Sequence, residues 1–180
     1  MTWRHIIVYY ALSLVLGGYY LTFEWRPNPE APIRGERPIV QNRFLPLTRA
    51  DIHEVVLQHQ DFTVRCRRNG DRWETLEPPN AAVTSAIVEG LLENLTQEKE
   101  IQVVEQAATD LKPYGLAQPY STLELRGATQ NLLATVSVGD RNPTASAVYA
   151  LKDKSTQVVV IGYNVRYYAE LIFEAAGFNR

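Results

Sequence analysis

The chain has few of the residues that build most active sites. It holds one cysteine, Cys66, and three histidines, His5, His53 and His59. One thiol excludes an intrachain disulfide and any zinc site built on several cysteines. His53 and His59 stand at opposite ends of one strand-like run, roughly 20 Å apart at ~3.3 Å per residue, so they cannot share a metal. Both are expected as solvated strand residues. Cys66 falls on an inward face and reads as a buried, inert thiol. No G-x-G-x-x-G, Walker A, G-x-S-x-G or H-E-x-x-H motif occurs. Eighteen basic and 20 acidic residues leave a net charge of -2, which provides no basic footprint for nucleic acid. The segment Gly139-Asp140-Arg141-Asn142-Pro143 has the composition of an ordinary turn. These absences lead to an expectation of no catalytic residue, no cofactor, no metal and no nucleic-acid partner.

The most informative feature present is an apolar run. Ile6 to Phe23 contains 18 residues without a charge. A helix from Trp3 to Phe23 would span ~31 Å at ~1.5 Å per residue, close to the hydrocarbon thickness of a bilayer. Trp3, Tyr19, Tyr20 and Trp25 occupy the positions of interfacial aromatic belts. A buried core helix would show a polar stripe, and this run has none. A cleaved signal peptide would end in small residues, where this sequence has Tyr and Phe. Residues 1–25 are therefore read as a transmembrane anchor and the lipid bilayer as a partner. Ser13, Gly17 and Gly18 form a small-residue notch suited to helix packing in the membrane. The flanks conflict over orientation. Arg26, Arg34, Arg37 and Arg43 favour a cytoplasmic C-terminal side, whereas the five-residue tail before the run is the usual geometry of a signal anchor.

Residues 26–46 carry Pro27, Pro29, Pro32, Pro38 and Pro46. Proline removes backbone donors and fixes φ, so this stretch reads as a linker, long enough to reach ~50 Å if extended. After it the apolar period becomes two. Strands are expected over Ile52–His59, Phe62–Arg68, Arg72–Leu76, Lys99–Val104, a run at Leu123 and Leu125, a run from Leu132 to Val138, Ala147–Leu151 and Gln157–Ile161. Asn69-Gly70 predicts a type I′ hairpin. Val158 to Ile161, apolar on both faces, predicts a central strand covered twice. One helix is expected over Val83–Leu95, with Val83, Ile87, Leu91 and Leu95 inward, Ala86 and Gly90 widening the stripe, and Asn80 or Thr84 as cap. A second is expected from a cap at Asn164 to Ala176. Ala107–Lys112 reads as one helical turn broken by Pro113. Eight strands joined mostly by hairpins, with two main helices, give an α+β class: an N-terminal transmembrane helix plus a mostly antiparallel β domain over residues 47–180. Arg65, Arg67, Arg68 and Arg72 flank the hairpin as a basic patch for an acidic partner or anionic headgroups. A charged edge hairpin that resists edge pairing explains it as simply.

Several marks together resemble a bacterial family labelled as a domain of unknown function. They are Gly17-Gly18-Tyr19-Tyr20, the strand from Asp51 to Leu57, Trp73 with Pro78, Leu111 to Pro119 with its Tyr114-Gly115-Leu116 core, Val138-Gly139-Asp140, and Val148-Tyr149-Ala150. Members are single-pass anchored proteins, some encoded beside gliding-motility-type auxiliary ABC transporters, and many are longer than this chain. The resemblance covers about residues 44 to 165. It implies a β-rich domain outside the cytoplasmic membrane, which resolves the orientation towards a periplasmic domain on the inner membrane. The expected function is a non-enzymatic accessory or structural subunit of an integral membrane protein complex. The alternative is an extracytoplasmic binding module for a lipid, glycan or small molecule.

Overall fold

A computed structural model describes Trp3, residues 12–14, 16, 18–19, 43–98 and 102–178. The chain divides into two compact units, Met1–Val40 and Gln41–Arg180. In the first, every described residue is helical and exposed. Among the described residues no helix is long and apolar enough to cross a membrane. Most of the Ile6–Phe23 run, and residues 26–42 of the linker, lie outside them.

The second unit is one eight-stranded sheet with helices. Its elements are β1 (Glu54–His59), β2 (Phe62–Asn69), β3 (Arg72–Glu77), α1 (Ser85–Gln97), β4 (Gln102–Glu105), β5 (Ser121–Arg126), β6 (Leu132–Arg141), β7 (Ala147–Lys152), β8 (Val158–Gly162) and α2 (Asn164–Ala175). The sheet order is β3-β2-β1-β5-β6-β7-β8-β4, and every neighbouring pair is antiparallel. Two meanders, β1–β3 and β5–β8, therefore join where β1 pairs with β5. Strand β4 crosses to the far edge, and residues 106–120 return from it to β5.

Period-two alternation sends Val55, Leu57, Val64, Cys66, Leu123, Leu125, Ala134, Val136 and Val138 to one face, where they form the main core with α1 and α2. We call this the front of the sheet. Phe44 and Leu45, at the end of the linker segment, are also buried there, and the Phe44 amide donates to the Glu98 carbonyl. The inward stripe of α1 is Val88, Leu91, Leu92 and Leu95, rotated from the expected one, which leaves Ala86 exposed. Gly90 faces α2. A Cβ there would lie 2.4 Å from the Tyr168 ring, so a bare glycine lets the two helices approach. Thr84 takes the N-cap position without a side-chain capping bond. Ser85 instead accepts the Trp73 amide at 2.8 Å, stitching α1 to β3. At α2 the cap position is Tyr163, and Asn164 is already helical.

Several local expectations change for physical reasons. The β2–β3 hairpin has Gly70-Asp71 at its centre, with positive φ at Gly70 alone, the pattern of a type II′ turn. Pro113 starts no break. It sits inside a 3-10 turn, Lys112–Tyr114, where its missing N–H costs nothing, and Gly115 closes the turn at φ 64°. Leu132, at the frayed start of β6, is exposed. Strand β8 is covered on both faces as its sequence suggests, but it lies next to the edge rather than in the centre. Residues Gly139 to Arg141 are no turn: they end β6, the longest strand.

Candidate functional site

The sequence-predicted basic patch separates onto two faces. Arg68 shares the front with Cys66 and Val64, its guanidinium 5.0 Å from the Trp73 ring and 2.8 Å from Glu89. The Trp73 indole N–H donates to the same carboxylate at 2.7 Å. Arg65 and Arg67 point to the back, and register places Arg72 there opposite Asn69. Arg67 makes a two-point contact with Glu54, 2.8 Å from Nε and 2.6 Å from Nη2, and Glu54 is 2% exposed. Arg65 lies 4.0 Å from Glu77. Arg72 carries no ion pair among the described residues. Three of these four arginines thus serve local pairs. Ser13 and Gly18 are helical and exposed; Gly17 lies outside the described residues.

Of the two domain histidines, His59 has surroundings other than expected. The His53 ring reaches the Asp51 carbonyl at 3.3 Å. His59 is half-buried, its Nδ1 on the Tyr120 carbonyl and its ring among Tyr120, Phe173 and Phe178. Cys66 is 1% exposed, and burial pushes its thiol up from the ordinary range. Among the described residues no three of His, Cys, Asp and Glu gather as a metal site.

Two places bring distant residues together. The first is on the back of the sheet. The return segment from β4 lays Ala108, Leu111, Tyr114 and Leu116 over Tyr149, Leu151 and Val158. Its start is tied down by the Ala108 amide, which donates to the Thr156 carbonyl at 2.9 Å. The Tyr114 hydroxyl donates to Glu105 at 2.9 Å, which raises the phenol pKa, and the ring meets Tyr149 edge-on at 5.1 Å. A Cβ on Gly139 would stand 2.3 Å from the Tyr114 carbonyl oxygen, and one on Gly115 would stand 2.4 Å from the Asp140 carboxyl carbon. Tyr114-Gly115-Leu116, Gly139-Asp140 and Tyr149, scattered in sequence, therefore form one clasp. Gly139 is needed because the Tyr114 backbone passes where a side chain would be, and Gly115 because its φ of 64° suits a residue without a Cβ.

The second place is a cleft of about 410 Å³ beside α2. Gly177, at φ 92°, ends α2 in a Schellman motif, with the Phe178 amide donating to the Phe173 carbonyl. This folds Phe178 back onto Phe173, His59 and Phe62. Tyr120 enters from the start of β5, and Tyr167, Glu170 and Glu174 come from α2. Behind Tyr120, Arg166 lies 3.9 Å from the ring centre, donates to the Gly139 carbonyl at 3.0 Å and binds Glu170 at 3.0 Å. Gly177, following the last periodic residue Ala176, is a sequence signal that could have marked the turn into this cleft. Nothing in sequence relates positions 59, 120, 167 and 178.

Fold and site together define an α+β sheet domain whose most distinctive residues bind its own crossover segment, with one aromatic cleft at its end. The chain belongs to the family described as a domain of unknown function, DUF4340, whose model matches residues 73–174. No curated protein and no solved structure matches it.

Proposed function

We propose that this protein is a non-enzymatic accessory or structural subunit of a membrane protein complex, held in the cytoplasmic membrane by a single N-terminal helix with its α+β domain on the periplasmic side. The observation that carries this reading is the outward display of Trp3, Leu12, Leu14, Leu16 and Tyr19, each 57–81% exposed on the helical N-terminal unit. In water such a run is costly. In lipid it is the ordinary surface of a membrane helix. Ser13, Gly17 and Gly18 would let a partner helix approach on one side of that anchor. The clasp adds support of a different kind, since the motif residues of the domain are occupied with architecture.

Orientation is tested by placing a thiol in the linker, Asn28→Cys, in a chain whose own thiol is buried. A membrane-impermeant maleimide applied to intact spheroplasts should label it. Labelling only after lysis would put the domain in the cytoplasm. The second reading, a periplasmic binding module, is favoured by the aromatic cleft beside α2. A protein that captures a small ligand there while remaining a monomer at native expression would favour it over the first.

A further inference from the structure

The cleft beside α2 combines three features that select one kind of ligand. Tyr120, Tyr167 and Phe178 supply ring surface. One face of Tyr120 already holds the Arg166 guanidinium at 3.9 Å, so this ring is demonstrably a cation acceptor. Arg166 is paired with Glu170, 3.0 Å away, a carboxylate that also lies 3.9 Å from Arg141. The remaining carboxylate of the lining, Glu174, is exposed and carries no ion pair among the described residues. Finally, the cleft lies where α2 ends, and its last turn contains no basic residue, so the negative end of the helix dipole adds to Glu174 instead of being cancelled. The volume, about 410 Å³, falls in the range of small-ligand sites.

We propose that this cleft binds a hydrogen-bond-donating organic cation, an alkylguanidinium or primary alkylammonium, with its carbon chain against the rings and its head on the Glu174 carboxylate. The chemistry is common to a free amine or guanidine and to a lysine or arginine side chain of a partner. It does not depend on the membrane anchoring proposed above. Affinity should be modest, because one face of the site is open.

The test titrates butylguanidinium, butylammonium and the neutral shape analogue butylurea into the full chain in nanodiscs, read by saturation-transfer NMR. Both cations should bind and butylurea should not. Glu174→Gln should weaken binding roughly fivefold to tenfold, Tyr167→Ala about threefold, and Glu174→Lys should abolish it, none with a fall in melting temperature, since both positions are exposed and loss of negative charge at the helix end is favourable. A short Ala-flanked arginine peptide identifies the source. Tighter binding than butylguanidinium indicates a partner's side chain, and weaker binding a free cation; either result upholds the site. Equal binding of butylurea, no cation binding in the millimolar range, or binding indifferent to Glu174→Gln overturns it. Co-purification of a complex with no cation binding would sink this proposal alone. Cation binding by a clean monomer would sink only the subunit reading.

Discussion

Over β7 and β8 the back of the sheet is apolar and covered, while over β1, β2 and β5 the same surface is charged and no described segment lies on it. Tyr149, Leu151 and Val158 meet the return segment from β4. Register places Glu54 between Arg67 and Arg126, and Val56 between Arg65 and Glu124. The strands are alike in pairing and length, so backbone geometry does not make the difference. What differs is the presence of a covering segment. Where one lies, burial rewards apolar side chains. Where none of the described segments lies, opposite charges ladder across the register. Even there Val56 is 4% exposed and Glu54 2%, Glu54 being held by Arg67.

The comparison breaks most easily on the covered half. Gly139→Val would drive a branched side chain into the Tyr114 carbonyl oxygen, a contact of 2.3 Å for the Cβ alone. We expect a loss of about 3 kcal/mol in urea denaturation, as for severe overpacking. Leu116→Ala, at a side chain 4% exposed, should cost about 2–3 kcal/mol by leaving a cavity under the clasp. On the open half Glu54→Ala should cost about 2 kcal/mol, the scale of a charge-assisted pair whose partner Arg67 can turn to water. If it cost more than Gly139→Val, the contrast drawn between the halves would be wrong.

Smaller effects sharpen the picture. Tyr114 has its phenol pKa raised, first by donating to Glu105 and then by burial. A folded pKa above the unfolded one means stability that is complete below the ordinary tyrosine range and lost as pH rises through the folded value. Melting temperature should therefore fall more steeply above about pH 10 in the native chain than in Tyr114→Phe. Parallel curves would remove the hydrogen bond from the account. Smallest of all, Arg72→Ala should move stability by less than about 0.5 kcal/mol, as expected of an exposed side chain without an ion pair.

Much of this fold was legible in the sequence because strand alternation and hairpin chemistry are local. The antiparallel meanders, the inward residues of β2, β5 and β6, and the buried Cys66 follow from a period of two. Strand order did not follow, because nothing local sends β4 to the far edge. The choice is made by which edge has a free ladder and which surface needs a cover. The turn read over Gly139 to Pro143 begins only at Asn142, and for the same reason: Gly139 is there for the close passage of Tyr114, a contact invisible to composition. The α1 stripe rotated because Val88 and Leu92, rather than Ala86, meet the sheet. His59 was misplaced because its partners Phe173 and Phe178 arrive through a helix end over a hundred positions away.

The most direct measurement of the central claim is the size of the particle that carries this chain in its own membrane. Expressed at native level, extracted in a mild detergent and passed through blue-native electrophoresis, the 20.4 kDa chain should migrate within a larger complex containing at least one integral membrane protein. Substituting leucine at Gly17 and Gly18 should weaken that association. A chain that runs as a clean monomer under those conditions, or that is released from membranes by salt alone, contradicts the account.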